Sequence, residues 1–429
     1  MTGKISFTTL GCRVNQYESS VLANSLAELG FEIVPFGDGC DICIVNTCTV
    51  TAESDRKSRQ LVRRAAKKTS VGVIVTGCFA EVSHDDAKKI DGVICVIGNK
   101  NKSEVVNAVK YHMGLSITPP IESADSFEKC TRMLTTPGRV RSFIKIEDGC
   151  TSKCAYCIIP KARGPIRSKN PAVILKEADE LIGKGSPEII LTGIEISAYG
   201  MDLKKDGVTY DLANLIHDLS KNPRLERLGL GSLDPTLMTE TFLQKIASSE
   251  KLLRHFHISL QSGCSSVLKR MRRKYNAEQA LVIMERIRKY FPDANISADV
   301  IVGFPGESEE EFSKTVNFCR KADFLNLHIF PYSMREGTEA AEMPDQISEN
   351  EKKRRVAILE SIHAETRSAL MKKYSRRTDP VNILFEQKKN GVLIGHSEHY
   401  VELKVDGPSS LIGKICKVMP HEDGSGTLV

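Results

Sequence analysis

Arg141-Ser-Phe-Ile-Lys-Ile146-Glu-Asp-Gly-Cys150-Thr-Ser-Lys-Cys154-Ala-Tyr-Cys157 places three thiols at spacings of four and three, directly after an alternating strand pattern. A loop this short is compact enough to wrap one cube, and three thiolates satisfy three irons of a [4Fe–4S] cluster while the fourth stays open to another ligand. A structural zinc site would want a fourth Cys or His nearby. None follows before His217. From Arg141 onward, strand patterns recur near Ser142–Ile146, Glu188–Leu191, Arg227–Leu230, His255–Leu260, Ile296–Val302 and Phe324–Phe330. Helical patterns such as Pro171 to Gly183 and Ala277 to Tyr290 separate them, so this stretch reads as a β/α barrel or part of one.

Upstream, a second alternating series predicts strands at Ile5–Leu10, Ile42–Val45, Val71–Val75 and Val93–Ile97, with helices at Tyr17–Leu29, Arg56–Lys68 and Ser103–Tyr111. Alternation of this kind predicts a parallel sheet covered on both faces. Cys12, Cys48 and Cys78 each follow the end of one of these strands, and that edge is where open α/β sheets bind ligands. The three thiols are therefore expected to converge. Cys43 and Cys95 lie inside apolar strand patterns and read as core side chains, as do Cys40, Cys130, Cys264, Cys319 and Cys416, which lack convergent partners.

Between the two series, residues 116–138 lose periodicity and carry Pro119-Pro120, Ser123 and Thr135-Thr-Pro137, a linker composition. After Ser348 a charged helix runs to about Tyr374, followed by short strands at Val381–Phe385, Gly391–Ile394, Tyr400–Val405 and Ile412–Val418. These predict a small all-β module. The expected organisation is thus α/β: a parallel-sheet domain over 1–115, a linker over 116–138, a partial six-stranded barrel over 139–372 and a small all-β barrel over 373–429.

Composition sets bounds on function. With 429 residues, 41% of them hydrophobic, the chain holds several cores, which excludes disorder. No apolar run reaches the roughly 18–20 residues that span a bilayer, and no signal segment opens the chain, so a soluble, cytoplasmic protein is expected. Thirteen cysteines in such a compartment are not a disulfide framework. The formal charge of +6 permits a polyanionic partner.

The pattern C-x3-C-x2-C, with Tyr156 before its last thiol, resembles the radical S-adenosylmethionine (SAM) superfamily. Further stretches are similar to one family within it: Leu10-Gly-Cys-Arg-Val-Asn-Gln-Tyr-Glu18, Asn46-Thr-Cys48, Thr76-Gly-Cys78, Asp148-Gly-Cys150, Ile159-Pro-Lys-Ala-Arg-Gly-Pro-Ile-Arg-Ser168, Ser259-Leu-Gln-Ser-Gly263, Met271-Arg-Arg-Lys-Tyr275, Asp299-Val-Ile-Val-Gly-Phe-Pro-Gly-Glu307 and Pro331-Tyr-Ser-Met-Arg-Glu-Gly-Thr338. In order, and over nearly the whole chain, these resemble the methylthiotransferases. The resemblance implies an auxiliary [4Fe–4S] cluster on Cys12, Cys48 and Cys78, a radical SAM [4Fe–4S] cluster on Cys150, Cys154 and Cys157, and an RNA-binding TRAM module at the end. SAM would meet Tyr156, Ser259, Gln261 and Gly303 at the barrel mouth. A low-potential electron donor such as flavodoxin or ferredoxin is also implied.

Within the family, Arg13-Val14-Asn15 after the first cysteine looks like the branch that methylthiolates N6-threonylcarbamoyladenosine at position 37, beside the tRNA anticodon. The alternatives are isopentenyladenosine in tRNA and an aspartate of a ribosomal protein. From Arg376 to Val429 seven basic residues balance seven acidic ones, so the terminal module is formally neutral. Richer runs lie at Arg56 to Lys68 and at Lys269-Arg-Met-Arg-Arg-Lys274, and Arg272, Arg273 and Lys274 are expected on the phosphates of the tRNA anticodon loop. Glu195 and Asp234 depart from the residues usual at their positions, and the resemblance assigns them no role.

Overall fold

The computed structural model describes residues 3–126, 140–203 and 210–429. Strands β1 (Lys4–Thr9), β2 (Glu32–Val34), β3 (Cys40–Thr47), β4 (Thr69–Gly77) and β5 (Val93–Ile97) form one parallel sheet in the order β2-β1-β3-β4-β5. Alternate residues of the central strands serve opposite layers. Ile42 and Ile44 meet Leu22, Leu26 and Val109 from the helices on one face, while Cys43 and Val45 meet Val62, Ala65 and Phe79 on the other. Burial on both faces is why these strands read as apolar runs. It also explains Cys43 and Cys95, whose thiols burial pushes up to about 12.

The helices of this sheet start earlier than their apolar periodicity predicts. The first is Arg13–Glu28, with Cys12 at its N-cap, and the second is Ala52–Ala66, capped by the Thr51 hydroxyl accepting from the Ser54 N–H. First turns such as Ala52-Glu-Ser-Asp55 are set by capping and by acidic residues near the positive helix end, not by apolar spacing. Strand β2 was not expected. Of the anticipated linker, residues 116–126 lack regular structure, while Cys130 and Thr135-Thr-Pro137 lie outside the described residues.

The second β/α series builds two parallel sheets joined by the chain itself. Strands β6 (Arg141–Lys145), β9 (Glu188–Thr192) and β10 (Arg227–Leu230) pair in the order β10-β9-β6. A two-residue pair, β7 (Glu147–Asp148) and β8 (Arg167–Ser168), brackets the cysteine loop. The chain then passes from β10 through Gly231 into β11 (Ser232–Leu233), which leads the second sheet, β11-β12-β13-β14. Its other members are β12 (His255–Gln261), β13 (Asn295–Val302) and β14 (Asn326–Pro331). One large apolar core joins Ile189, Leu191, Phe256, Ile258, Ala298 and Val300 to the surrounding helices. The residues alternating with them face away from the helices, into the interior of the open barrel.

The helix Glu349–Ser375 buries Leu359 in that core and Tyr374 in the next one. It runs past the expected boundary at 372/373 without a break. Strands β15 (Val381–Lys389), β16 (Val392–Ser397), β17 (Glu402–Val405), β18 (Ile415–Pro420) and β19 (Ser425–Leu428) close a five-stranded barrel in the order β15-β16-β17-β19-β18. The expectation held four strands. The fifth, Ser-Gly-Thr-Leu, carries too little apolar residue to read as a strand and exists because β17 and β18 both pair with it. This small barrel packs on the N-terminal ends of the larger one, where the Arg254 N–H donates to the Glu398 carbonyl at 2.8 Å and the Tyr400 and His255 rings stack at 4.3 Å. Among the described residues, no helix is long and apolar enough to cross a membrane.

Candidate active site between two thiol triads

Parallel pairing sets Thr9 beside Asn46 and Asn46 beside Thr76, so β1, β3 and β4 end level with one another. Cys12, Cys48 and Cys78 leave those ends. Gly11 at φ +104° turns the chain so closely onto Cys48 that a Cβ there would stand 3.2 Å from its sulfur. The three thiols gather at one edge, with Cys48 and Cys78 buried and Cys12 exposed. Burial drives the Cys48 thiol up, so thiolates gathered at this edge call for a positive centre nearby.

Such a centre is present. The short helix Ile159–Arg163 follows directly on Cys157 and carries the fully buried Arg163 back across the seam between sheet and barrel. Its Nε donates to the Cys78 sulfur at 3.2 Å, and its terminal nitrogens reach Glu18, Asp148 and the Asn15 side-chain oxygen. Lys145 bridges the same two carboxylates at 2.8 Å each, Lys102 pairs with Glu18, and Arg167 stands 3.4 Å from Asp148. Burial alone would raise the Glu18 and Asp148 carboxyls, yet Arg163, Lys145 and their neighbours hold both below the usual range. Four cations thus meet two carboxylates. The excess positive charge lies beside the thiols.

The barrel triad has its own cation. Arg273 donates to the Cys154 sulfur at 3.3 Å, to Asp234 at 2.7 Å and to the Ser259 carbonyl at 3.1 Å. This overturns its expected place on RNA phosphates: its side chain is only 7% exposed and turned inward. The cause is local, because Arg272 sits at φ +59°, a kink that sends Arg272 and Lys274 to solvent and Arg273 to the interior. Burial raises the Cys150 thiol and drives Cys157 up to about 12. A polar cavity beside the triad is lined by Cys150, Cys154, Glu195, Asp234, Arg273 and Met201. Glu195 and Asp234 now have positions: each caps a short helical turn, at Ile196–Ala198 and Pro235–Leu237, and burial raises the Glu195 carboxyl. Beneath them the Glu147 carboxylate accepts the N–H groups of Ile194 and Glu195.

Of the residues expected at SAM, Tyr156 packs with Val267, Met271 and Phe304. Gln261 ends β12 at φ +68°, and Gly303 at φ +72° donates its N–H to Glu307 at 2.5 Å. These stand with Ser259 at the C-terminal ends of the strands, but among the described residues none of the four lines the cavity beside Cys150 and Cys154.

Sequence reading gave no structural role to three participants. Arg163, within a quoted motif, had no role until the fold brought it to Cys78. Arg335 donates to Thr49 and Asp55 at 2.7 Å each and so fixes the loop after Cys48 onto the barrel. Arg13 lays its guanidinium over the Phe143 ring at 5.3 Å and donates to the Tyr400 hydroxyl at 3.2 Å, which places it where the first barrel strand meets the small C-terminal barrel. The Asn15–Glu18 spacing, one helical turn after Cys12, was the available signal for the network.

The donor sets fit iron–sulfur clusters. Among the described residues, the group of three potential ligand atoms within 4.8 Å of one another is His257, Asp299 and His328, so both thiol triads stand wider than one shared ion requires. Each triad also has an arginine donating to one sulfur, as an anionic cluster demands.

Comparison with known proteins agrees with this geometry. Residues 144–319 match the Radical SAM superfamily, and residues 4–98 match the uncharacterized protein family UPF0004. The chain is 36% identical over 424 residues to the threonylcarbamoyladenosine tRNA methylthiotransferase MtaB of Bacillus subtilis (strain 168), covering 96% of this chain and 93% of that protein. It is 35% identical to the Aquifex aeolicus protein of the same name, covering 97% and 100%. It is 31% identical to the tRNA-2-methylthio-N(6)-dimethylallyladenosine synthase of Bacillus velezensis, covering 97% and 83%. A solved structure of the radical SAM methyltransferase TsrM from Kitasatospora setae shares the fold at a TM-score of 0.60 and 15% identity, over 80% of this chain and 77% of that one. With full-length relatives above 30% identity, the chain belongs to the radical SAM methylthiotransferase family.

Proposed function

We propose that this enzyme methylthiolates C2 of N6-threonylcarbamoyladenosine at position 37 of tRNA, with Cys150, Cys154 and Cys157 holding one [4Fe–4S] cluster and Cys12, Cys48 and Cys78 a second. The observation that carries the two-cluster reading is Arg163, which ties the auxiliary thiol Cys78 to Asp148, two residues before Cys150. Bound SAM and iron–sulfur supply the radical that opens an unactivated C–H bond and the methylthio group that replaces its hydrogen. The protein contributes position and charge. Arg273 and Arg163 offset thiolate charge, and the small C-terminal barrel, in the role of a TRAM module, would lie along the tRNA. A low-potential donor such as flavodoxin or ferredoxin would deliver electrons.

Arg13 favours the threonylcarbamoyl substrate. It follows the first auxiliary thiol and holds a cation over Phe143 of the first barrel strand, and this substrate presents a carboxylate that isopentenyladenosine lacks. A charge-assisted hydrogen bond contributes about 1.5–3 kcal/mol, so Arg13→Met should lower kcat/KM for threonylcarbamoyladenosine tRNA by roughly 10- to 100-fold. Mass spectrometry of tRNA nucleosides from a deletion strain tests the assignment. Loss of the methylthio mark on threonylcarbamoyladenosine supports it; loss on isopentenyladenosine alone, or only from a ribosomal protein, rejects it.

Replacing Cys12, Cys48 and Cys78 together with Ala should leave SAM cleavage to 5′-deoxyadenosine in dithionite intact while ending methylthio transfer. If that variant stops cleaving SAM although its barrel cluster persists by spectroscopy, the division of labour between the triads is wrong. Contacts to tRNA phosphates weaken with salt. Neutralising Arg272 and Lys274, both exposed, should therefore lower tRNA affinity and flatten its salt dependence, read by filter binding across a salt series.

A further inference from the structure

His257, Asp299 and His328 stand on three neighbouring parallel strands, β12, β13 and β14. Parallel register sets Asp299 beside His328 and His257 beside Ser297. Their strand neighbours Phe256, Ile258, Ala298, Val300 and Leu327 all join the helix-packed core. By alternation, the two imidazoles and the carboxylate face the barrel interior together.

The three groups converge on one point. His257 Nε2 lies 2.9 Å and His328 Nδ1 3.2 Å from the same Asp299 oxygen, and all three ligand atoms fall within 4.8 Å of one another. Metal–nitrogen and metal–oxygen bonds of roughly 2.0–2.2 Å put neighbouring ligand atoms about 3 Å apart, the spacing found here. The His257 Nε2 atom is sealed from solvent and, despite its closeness to Asp299, has no aligned hydrogen-bond partner. That suits a nitrogen lone pair meeting an ion which the carboxylate also meets.

We propose that His257, Asp299 and His328 form a third metal site, which binds one divalent first-row transition ion through two imidazoles and one carboxylate. Three ligands rising from one sheet occupy one side of an ion. The opposite coordination positions open into the barrel, where water or a carboxylate or hydroxyl oxygen of a bound substrate would complete the sphere. Borderline nitrogen and oxygen donors separate this site chemically from the thiol triads, which take iron and sulfide. The proposal stands independently of which nucleoside the enzyme modifies.

Zinc is the probe, because it is counted separately from cluster iron. Cluster-loaded protein is freed of loose metal with a chelator, equilibrated anaerobically with zinc, passed through gel filtration and analysed for both metals. The parent protein should retain about one zinc per chain, and H257Q/H328Q none, with equal iron and an unchanged cluster absorbance. His328 is half-exposed, so H328Q alone perturbs packing little and should still weaken zinc binding at least tenfold. X-ray absorption at the zinc edge should show nitrogen and oxygen neighbours only. Equal zinc in parent and double variant, no retained zinc in the parent, or sulfur in the zinc shell would each overturn the proposal.

Discussion

A variant carrying alanine at Cys150, Cys154 and Cys157 is expected to lose SAM cleavage entirely and to hold about four irons after anaerobic reconstitution, against about eight in the parent. The loss should be total because a single loop supplies all three ligands, and the next nearest donors in the cavity are carboxylates that hold iron–sulfur poorly. The N-terminal triad should keep its iron, since its sulfurs leave a different sheet and its arginine, Arg163, remains in place. Iron and sulfide analysis with product chromatography checks both halves. Retention of about eight irons in the triple variant would mean that the loop is not a cluster site at all.

Replacing Arg163 with Met should destabilise the protein by about 3–5 kcal/mol, the cost of breaking a buried ion pair by removing one partner. Arg163 is fully buried and is the group that meets Glu18, Asp148, Asn15 and Cys78 at once. Removing it leaves Glu18 and Asp148 with Lys145, Lys102 and Arg167, and leaves the Cys78 sulfur without its guanidinium donor. Arg163→Lys should rescue little, because an ammonium cannot span both carboxylates and the sulfur as the planar fork does. The urea midpoint of anaerobic, cluster-loaded protein measures the effect. Glu18→Gln combined with Arg163→Met should be milder than the two separate losses added, because the lost partners are one another. A midpoint shift worth less than about 1 kcal/mol for Arg163→Met would show that the seam does not depend on this residue.

Periodicity along the chain determined the two β/α series, the closing β module and both cysteine sets. It could do so because strand and helix patterns are local, repeating every two or three to four residues. Convergence of Cys12, Cys48 and Cys78 was legible for a related reason: in a parallel sheet every strand points the same way, so the residues leaving the strand ends land on one edge. The tertiary structure alone decided the charges between those sites. Arg163 meets Cys78 across 85 residues and Glu18 across 145, and Arg273 meets Cys154 across 119, distances over which no spacing in the chain carries information. The left-handed turn at Arg272 reversed the expectation for Arg273 because single-residue backbone kinks leave no mark on composition. Likewise His257, Asp299 and His328 look like unrelated polar residues in three apolar strands. Sheet order and register bring them together, and both arise from how whole elements pack rather than from any residue's neighbours in sequence.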